Sequence, residues 1–330
     1  MRLVSSLAIS AALLVTACDA TTSSSSPTAT TTTATVAAPQ IMFDEAQLLT
    51  DLRILAADDM EGRGTGTAGS ERARAYIISR FEEIGIEMIG DSYEHDFEYN
   101  GRRDPSATYN GTNVVGRIEG TSDSDRTMVL TAHYDHLGMR NGEIWNGADD
   151  NASGVAAMLA TATDFIANPP EHDVVVVAFD AEERGLQGAR AFVANPPIDS
   201  DDITFNLNLD MIAMSEDRIL WVVGTYHYPF LMPMVEEVQT RALVNLPTGF
   251  DEPSDEPGAD WTPLSDQGAF HEVGIPVIYL GVDFHPHYHQ PSDIYENMTL
   301  DFFADATRTI IDFAREADER LDEIGDAGGR

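Results

Sequence analysis

Two short runs, TMVLTAHY from Thr127 and DVVVVAFD from Asp173, are almost continuously apolar, and each ends on ionisable groups. A strand that is apolar on both sides needs cover on both sides, which a parallel sheet obtains from its crossover helices. Between the two runs, ASGVAAMLATATDFIAN carries apolar residues at helical spacing, so the chain reads strand, helix, strand from 127 to 180. TNVVGRIEG before this unit and TFNLNLDMIA after it are further β-rich runs. The alternation predicts an α/β fold, a three-layer α/β/α sandwich with a mixed, largely parallel central sheet. DEAQLLTDLRILA and SERARAYIISRFEEIG predict two helices ahead of the sheet, with Gly62 to Gly69 (GRGTGTAG) as a flexible connection between them. Leu300 to Ile324 predicts a closing amphipathic helix.

The N-terminal segment does not belong to this fold. Arg2 followed by apolar Leu3 to Val15 predicts a signal peptide over 1–17, and Val15-Thr16-Ala17-Cys18 resembles a bacterial lipoprotein signal box. That resemblance implies cleavage before Cys18 and a lipid on its sulfur. Cys18 is the only cysteine, which excludes a disulfide within the chain. The Thr/Ser-rich stretch that follows has little to bury, so 18–40 reads as an anchor and disordered tether and 41–330 as one catalytic domain. The expected location is the bacterial cell envelope, facing periplasm or exterior, with membrane contact only through the lipid. A monomer is expected.

Acidic residues outnumber basic ones 56 to 19, for a formal net charge of −37. A field of that sign repels phosphate, which excludes nucleic acid and anionic membrane surfaces as partners.

His133, Glu182, Glu183 and Asp210 fall at or just after the C-terminal ends of predicted strands, the edge at which open α/β sheets bind ligands. In AHYDHLG, His133 can ligate a metal and Asp135, two residues on, can fix its tautomer. In NGADDNASG a Gly-rich turn presents Asp149 and Asp150 just before a helix; Asp150 or Asn151 is expected to cap the helix and Asp149 to bridge two cations. The adjacent Glu182 and Glu183 of FDAEERG repel each other unless one is a metal ligand and the other a general base. HYHQPSD is a histidine-rich loop in which spacing alone does not select a ligand, and His285 and His287 are read as solvated.

Together with NLDMIA, which carries Asp210, these four motifs make five that in their order and intervals resemble the co-catalytic di-zinc aminopeptidases, the family of bacterial leucyl aminopeptidase, Streptomyces-type aminopeptidase and aminopeptidase Y. The similarity runs from about Gly62 through SDQGAFHEVGIPVIYL to the C-terminal helix. It implies the zinc exopeptidase fold and two zinc ions, one held by His133 and Asp210, the other by Glu183 and His289, with Asp149 bridging. It further implies Glu182 as general acid/base, Asp135 as the partner that orients His133, and a cis peptide at Asp149-Asp150. Some relatives insert a protease-associated domain before the first histidine motif, and the interval from Gly62 to His133 is too short for one.

The expected substrates are peptides with a free N-terminus. A carboxypeptidase needs a cation for the terminal carboxylate, and no Lys or Arg occurs from Ala242 to Thr307, although Arg184, Arg190 and Arg218 lie near other motifs. Two other readings are a glutaminyl-cyclase-like acyltransferase, which shares the fold with one zinc, and a non-catalytic binding protein on the same scaffold. Complete ligand positions and the presence of Glu182 weigh against the latter.

Overall fold

The computed structural model describes residues 41–101 and 104–330; the predicted signal peptide, Cys18 and the tether lie outside the described residues. Helices α1 (Glu45–Leu55) and α2 (Ala68–Ile84) precede β1 (Glu87–Met88), β2 (Glu94–Asn100), β3 (Thr108–Ile118) and β4 (Thr127–His133). A small hairpin of β5 (Gly138–Arg140) and β6 (Glu143–Trp145) leads to α3 (Gly154–Ala167), β7 (Asp173–Phe179), α4 (Gln187–Ala194), β8 (Ile203–Leu209) and β9 (Trp221–Val223). The chain continues through α5 (Met232–Gln239), α6 (Gln267–Glu272), β10 (Val277–Gly281), α7 (Leu300–Glu319) and α8 (Leu321–Gly328). The predicted closing helix is thus two helices, which meet at Arg320.

The main sheet runs β1-β3-β7-β4-β8-β10-β9, with β2 paired on β3. Its parallel part is confined to β7, β4, β8 and β10; β1, β2, β3 and β9 pair antiparallel at the margins. Period-two alternation divides the strands between two cores. Met128, Leu130 and Ala132 of β4, with Val174 and Val176 of β7, pack toward α1, α2, α3, α5 and α7. Val129, Val175, Val177 and Phe179 pack toward α4 and α6. Fully burying a side chain of this size contributes about 1.5–3 kcal/mol, so these strands are pinned in register by burial on both faces.

The run FNLNL in β8 is the exception. Phe205, Leu207 and Leu209 enter the larger core, while Asn206 and Asn208 face α6 and are buried. Asn208 accepts from Thr131 Oγ at 2.7 Å and donates to Ser265 Oγ at 3.0 Å and Gln267 Oε1 at 2.8 Å. Asn208 therefore anchors the loop that delivers Ser265 and Asp266 to the sheet edge, while Asn206 donates to Val129 O and Thr131 Oγ1 of β4.

The start of the connection, Gly62 to Gly64, is packed where a flexible link was expected, while Gly66 to Ala68 are exposed. Gly62 has φ 67°, and a Cβ there would lie 2.2 Å from the Trp145 carbonyl oxygen. Arg63 beside it is fully buried. Its guanidinium donates to the carbonyls of Tyr134 (2.8 Å), Leu55 (2.6 Å), Asn146 (2.5 Å) and Gly147 (2.7 Å). One side chain thus ties the end of α1 to the loop after β4 and to the loop before α3. Burial draws its pKa down to about 10, against the pull of Asp293, Asp150, Asp135 and Glu183, so it stays charged at neutral pH. Charge-assisted bonds contribute roughly 1.5–3 kcal/mol each, so Arg63→Met is expected to lose about 3 kcal/mol or more in urea unfolding. Arg63→Lys should recover only part of it, because an ammonium cannot reproduce the planar fork; a methionine variant within about 1 kcal/mol of wild type would refute the bracing role.

Candidate metal centre

The C-terminal ends of β4, β7 and β8 each turn sharply and deliver an ionisable side chain to one edge of the sheet. His133 is the last residue of β4. After β7, Ala181 takes a left-handed conformation (φ 58°) that aims Glu182 and Glu183 at the edge, and Met211 (φ 60°) follows Asp210. His289 is itself left-handed (φ 51°). Such backbone costs on the order of 1–3 kcal/mol per residue and persists where packing over-determines it.

Two groups of side chains converge there. In the first, His133 Nε2 lies 3.4 Å from Asp150 Oδ1 and 3.4 Å from Asp210 Oδ1. In the second, Glu183 Oε1 stands 2.9 Å from His136 Nδ1 and 3.2 Å from His289 Nε2, while Asp150 Oδ2 stands 3.0 Å from His289 Nε2 and 3.7 Å from His136 Nδ1. The two oxygens of one carboxylate, Asp150, are therefore divided between the groups.

Asp149, the expected bridge, points elsewhere. Its Oδ1 accepts from Ala213 N at 2.6 Å and Ser153 Oγ at 3.1 Å, and its Oδ2 meets His285 Nε2 at 2.9 Å. The backbone at Asp150 is extended (φ −104°, ψ 94°), and neighbouring side chains of an extended segment face opposite ways. Asp149 accordingly braces the loop after β8 while Asp150 faces the site. The cis peptide is at Asp150-Asn151, one bond later than expected. Asn151 stitches the same loops together, donating to Leu209 O at 2.9 Å and accepting from Met211 N at 3.1 Å. Asp293 accepts from the backbone N–H groups of Asp149 (2.8 Å) and Asp150 (3.1 Å).

Asp135 orients His133 through its main chain. His133 Nδ1 is 3.0 Å from the Asp135 carbonyl oxygen and 3.7 Å from its carboxylate. The carboxylate accepts from Glu182 N at 2.9 Å and from Thr65 Oγ1 at 3.1 Å, so it fixes the position of Glu182. His285, read as solvated, is the partner of Asp149, and His287 pairs with Ser292 Oγ at 3.0 Å.

His136 had no role in the sequence reading, although it lies one residue beyond Asp135 in the same motif. It is buried, and neither ring nitrogen has an aligned hydrogen-bond partner. Glu183 Oε1 and Asp210 Oδ1 are likewise buried without a partner. Lone pairs left unmatched and aimed at one another need a cation between them. Ligand atoms about 2.0–2.2 Å from a tetrahedral zinc ion lie roughly 3.3–3.6 Å apart, and the nitrogen–oxygen separations above bracket that range. Imidazole and carboxylate are also the donors that zinc accepts, so the residues present fit the metal.

The adjacent glutamates have opposite proton affinities. Burial pushes the Glu182 carboxyl well above the usual range, against the pull of His133. For Glu183, burial and Asp150 also push upward, but the imidazoles of His136 and His289 outweigh them and hold it near 2. Burial raises Asp266 to about 8. Paired titratable groups whose environments separate their pKa values define acid and base roles. The acids and His133 open onto a cavity of about 440 Å³ whose far wall is apolar, formed by Trp261, Leu264, Val282, Phe284 and Tyr288.

A doubly wound α/β/α sandwich with two acid–imidazole clusters sharing one carboxylate at its sheet edge defines a class, the metal-dependent α/β proteins. The chain belongs to peptidase family M28, whose family model matches residues 113–314. Among curated relatives, it is 25% identical over 278 residues to a vacuolar membrane protease of Candida dubliniensis, which covers 80% of this chain and 27% of that protein. The chain thus spans little more than a quarter of that relative's length. The fold is shared with the zinc aminopeptidase BSAP of Bacillus subtilis, at a TM-score of 0.67 and 15% identity over 83% of this chain and 96% of that one. It is shared equally with the Porphyromonas gingivalis glutaminyl cyclase, at a TM-score of 0.67 and 16% identity over 83% and 99%.

Metal uptake separates the two aspartates. Asp150→Asn is expected to lower bound zinc about tenfold or more at limiting free metal, because an amide offers one oxygen where two are required. Asp149→Asn should retain it, since an amide oxygen still accepts from Ala213 N–H. Equal loss in the two variants, measured by atomic emission after dialysis, would refute the assignment.

Proposed function

We propose that the chain is a zinc-dependent metallo-aminopeptidase that removes N-terminal residues from peptides. The observation that carries this reading is the division of the Asp150 carboxylate between two clusters with Glu182 beside them. His133 and Asp210 would hold one zinc ion, His289, Glu183 and the nearby His136 the second, and Asp150 would touch both. Bound zinc supplies Lewis acidity that polarises the scissile carbonyl and acidifies a water molecule. Glu182, held by its backbone N–H to Asp135, accepts the proton from that water and passes it to the leaving amine. Its raised proton affinity suits both halves of the task.

The cavity supports N-terminal specificity. Its acidic floor of Glu182, Glu183 and Asp210 suits an α-ammonium group, and its aromatic wall suits an apolar N-terminal side chain. Completeness of both clusters favours two ions over the single ion of a glutaminyl-cyclase-like acyltransferase. The presence of Glu182 favours an enzyme over a binding protein. We further propose that 41–330 is a single peptidase domain without a protease-associated insert, held at a bacterial envelope membrane by a lipid on Cys18 after removal of 1–17. Among the described residues no helix is long and apolar enough to cross a membrane.

Glu182→Gln is expected to bind zinc as wild type does while kcat on leucyl-p-nitroanilide falls by about 10²–10⁴-fold. Chelation should abolish turnover, and N-acetylation should protect a peptide that is otherwise cleaved. Wild-type kcat in the glutamine variant would remove Glu182 from its role, and cleavage of the acetylated peptide would reverse the direction of attack.

A further inference from the structure

A second cavity, of about 1000 Å³, opens on the other side of Glu183. Arg184 and Arg140 line it together with Tyr99 and Tyr109, whose rings stack at 5.6 Å. Both arginines are exposed. Arg184 directly follows Glu183, so its Cα lies about 3.8 Å from that of a residue of the acid centre. Arg140 stands on the β5–β6 hairpin, where Nε donates to Leu137 O at 3.3 Å and the guanidinium lies 5.2 Å from the Trp145 ring.

Most of the other described arginines are matched by acids, while Arg53, Arg63 and Arg330 are held by a hydroxyl or by carbonyls. Arg126, Arg190, Arg218 and Arg241, for example, are each held by carboxylates. Among the described residues neither Arg184 nor Arg140 has a carboxylate partner, and the Arg184 side chain makes no hydrogen bond; its backbone N–H donates to Ala181 O at 3.3 Å. Of the two acids that line this cavity, Glu183 meets His136 and His289 in the acid centre, and Asp104 is engaged by its own turn, accepting from Ser106 N at 3.0 Å and Ser106 Oγ at 2.6 Å. In a chain of net charge −37, two unmatched guanidinium groups facing one cavity leave room for an anion from outside.

We propose that Arg184 and Arg140 form a carboxylate-recognition site on the leaving-group side, which selects short peptides with a free C-terminus. The inference rests on the aminopeptidase reading and extends it. With the N-terminal side chain against the Trp261 wall and the scissile carbonyl between Glu182 and Glu183, the leaving residue enters the second cavity. There the paired tyrosines cover its side chain. Extended chain advances about 3.3–3.6 Å per residue, so a terminal carboxylate one or two residues beyond the cleaved bond falls within reach of the long arginine side chains. Di- and tripeptides meet that condition, and longer peptides carry their carboxylate past it.

The test uses the zinc-loaded protein with leucyl-alanine, leucyl-leucyl-alanine, their C-terminal amides, leucyl-p-nitroanilide and N-acetyl-leucyl-leucyl-alanine. Wild type is expected to show KM about tenfold or more lower for each free acid than for its amide, a factor equivalent to about 1.4 kcal/mol. Arg184→Ala should bring that acid-to-amide ratio close to one, and Arg184→Lys should restore part of it. A general structural defect would slow all substrates in proportion and leave the ratio unchanged. Acids and amides cleaved alike by wild type, or a ratio that survives in Arg184→Ala and Arg140→Ala, would overturn the proposal. Cleavage of the acetylated tripeptide with the acid preference intact would overturn N-terminal attack while supporting the carboxylate site, so the two failures are distinguishable.

Discussion

The structure is organised around a concentration of negative charge that water alone does not solvate. Asp135, Asp149, Asp150, Asp210, Asp266 and Asp293 are buried at one edge of the sheet, with Glu182 and Glu183 beside them. Bringing like charges out of water is unfavourable unless each is matched or neutralised. Three devices do this. Backbone N–H groups and hydroxyls satisfy Asp149, Asp135 and Asp293; burial drives Asp266 toward its neutral form; and the imidazoles of His133, His136 and His289 meet Asp150, Asp210 and Glu183 where a cation would sit. Arg63 is the permanent charge behind the cluster. Three of its four carbonyl acceptors belong to the segments that carry Asp135, His136 and Asp150, and the fourth ends α1, so the cation steadies the site both by field and by geometry.

How much of this was legible in sequence depended on how local the cause was. The strands were readable because covered strands are apolar throughout, and TMVLTAHY and DVVVVAFD correspond to β4 and β7. Residues at strand ends, His133, Glu182, Glu183 and Asp210, could be placed on the edge by counting from the last apolar position. The strands that pair antiparallel could not be singled out, because a covered strand carries the same apolar signature in either direction.

Asp149 and Asp150 could not be told apart by pattern. Both are acids before a helix, and which one faces the two histidine–acid clusters is decided by the extended conformation at Asp150 and by the Ala213 N–H that claims its neighbour. Both are tertiary facts. His136 was visible in AHYDHLG but lay in a loop, where period and direction are undefined. Arg63 was read within a flexible glycine-rich link, because nothing local to GRGTGTAG shows that four carbonyls from three segments converge on it.

Net charge is likewise a property of the whole chain. A surplus of acids describes the average field, and that field is hostile to anions; yet a binding site is governed by the few groups within a Debye length of the ligand, about 8–10 Å at physiological salt. Most arginines in this fold are neutralised by the acids that outnumber them, so they add little to any local potential. The ones that matter are those the scaffold leaves unmatched. One, Arg63, is turned inward onto carbonyls and holds the acid centre in place. Arg184 and Arg140 are turned outward beside it, so a molecule that is acidic as a whole carries an acidic cavity and one lined by two arginines on either side of Glu183.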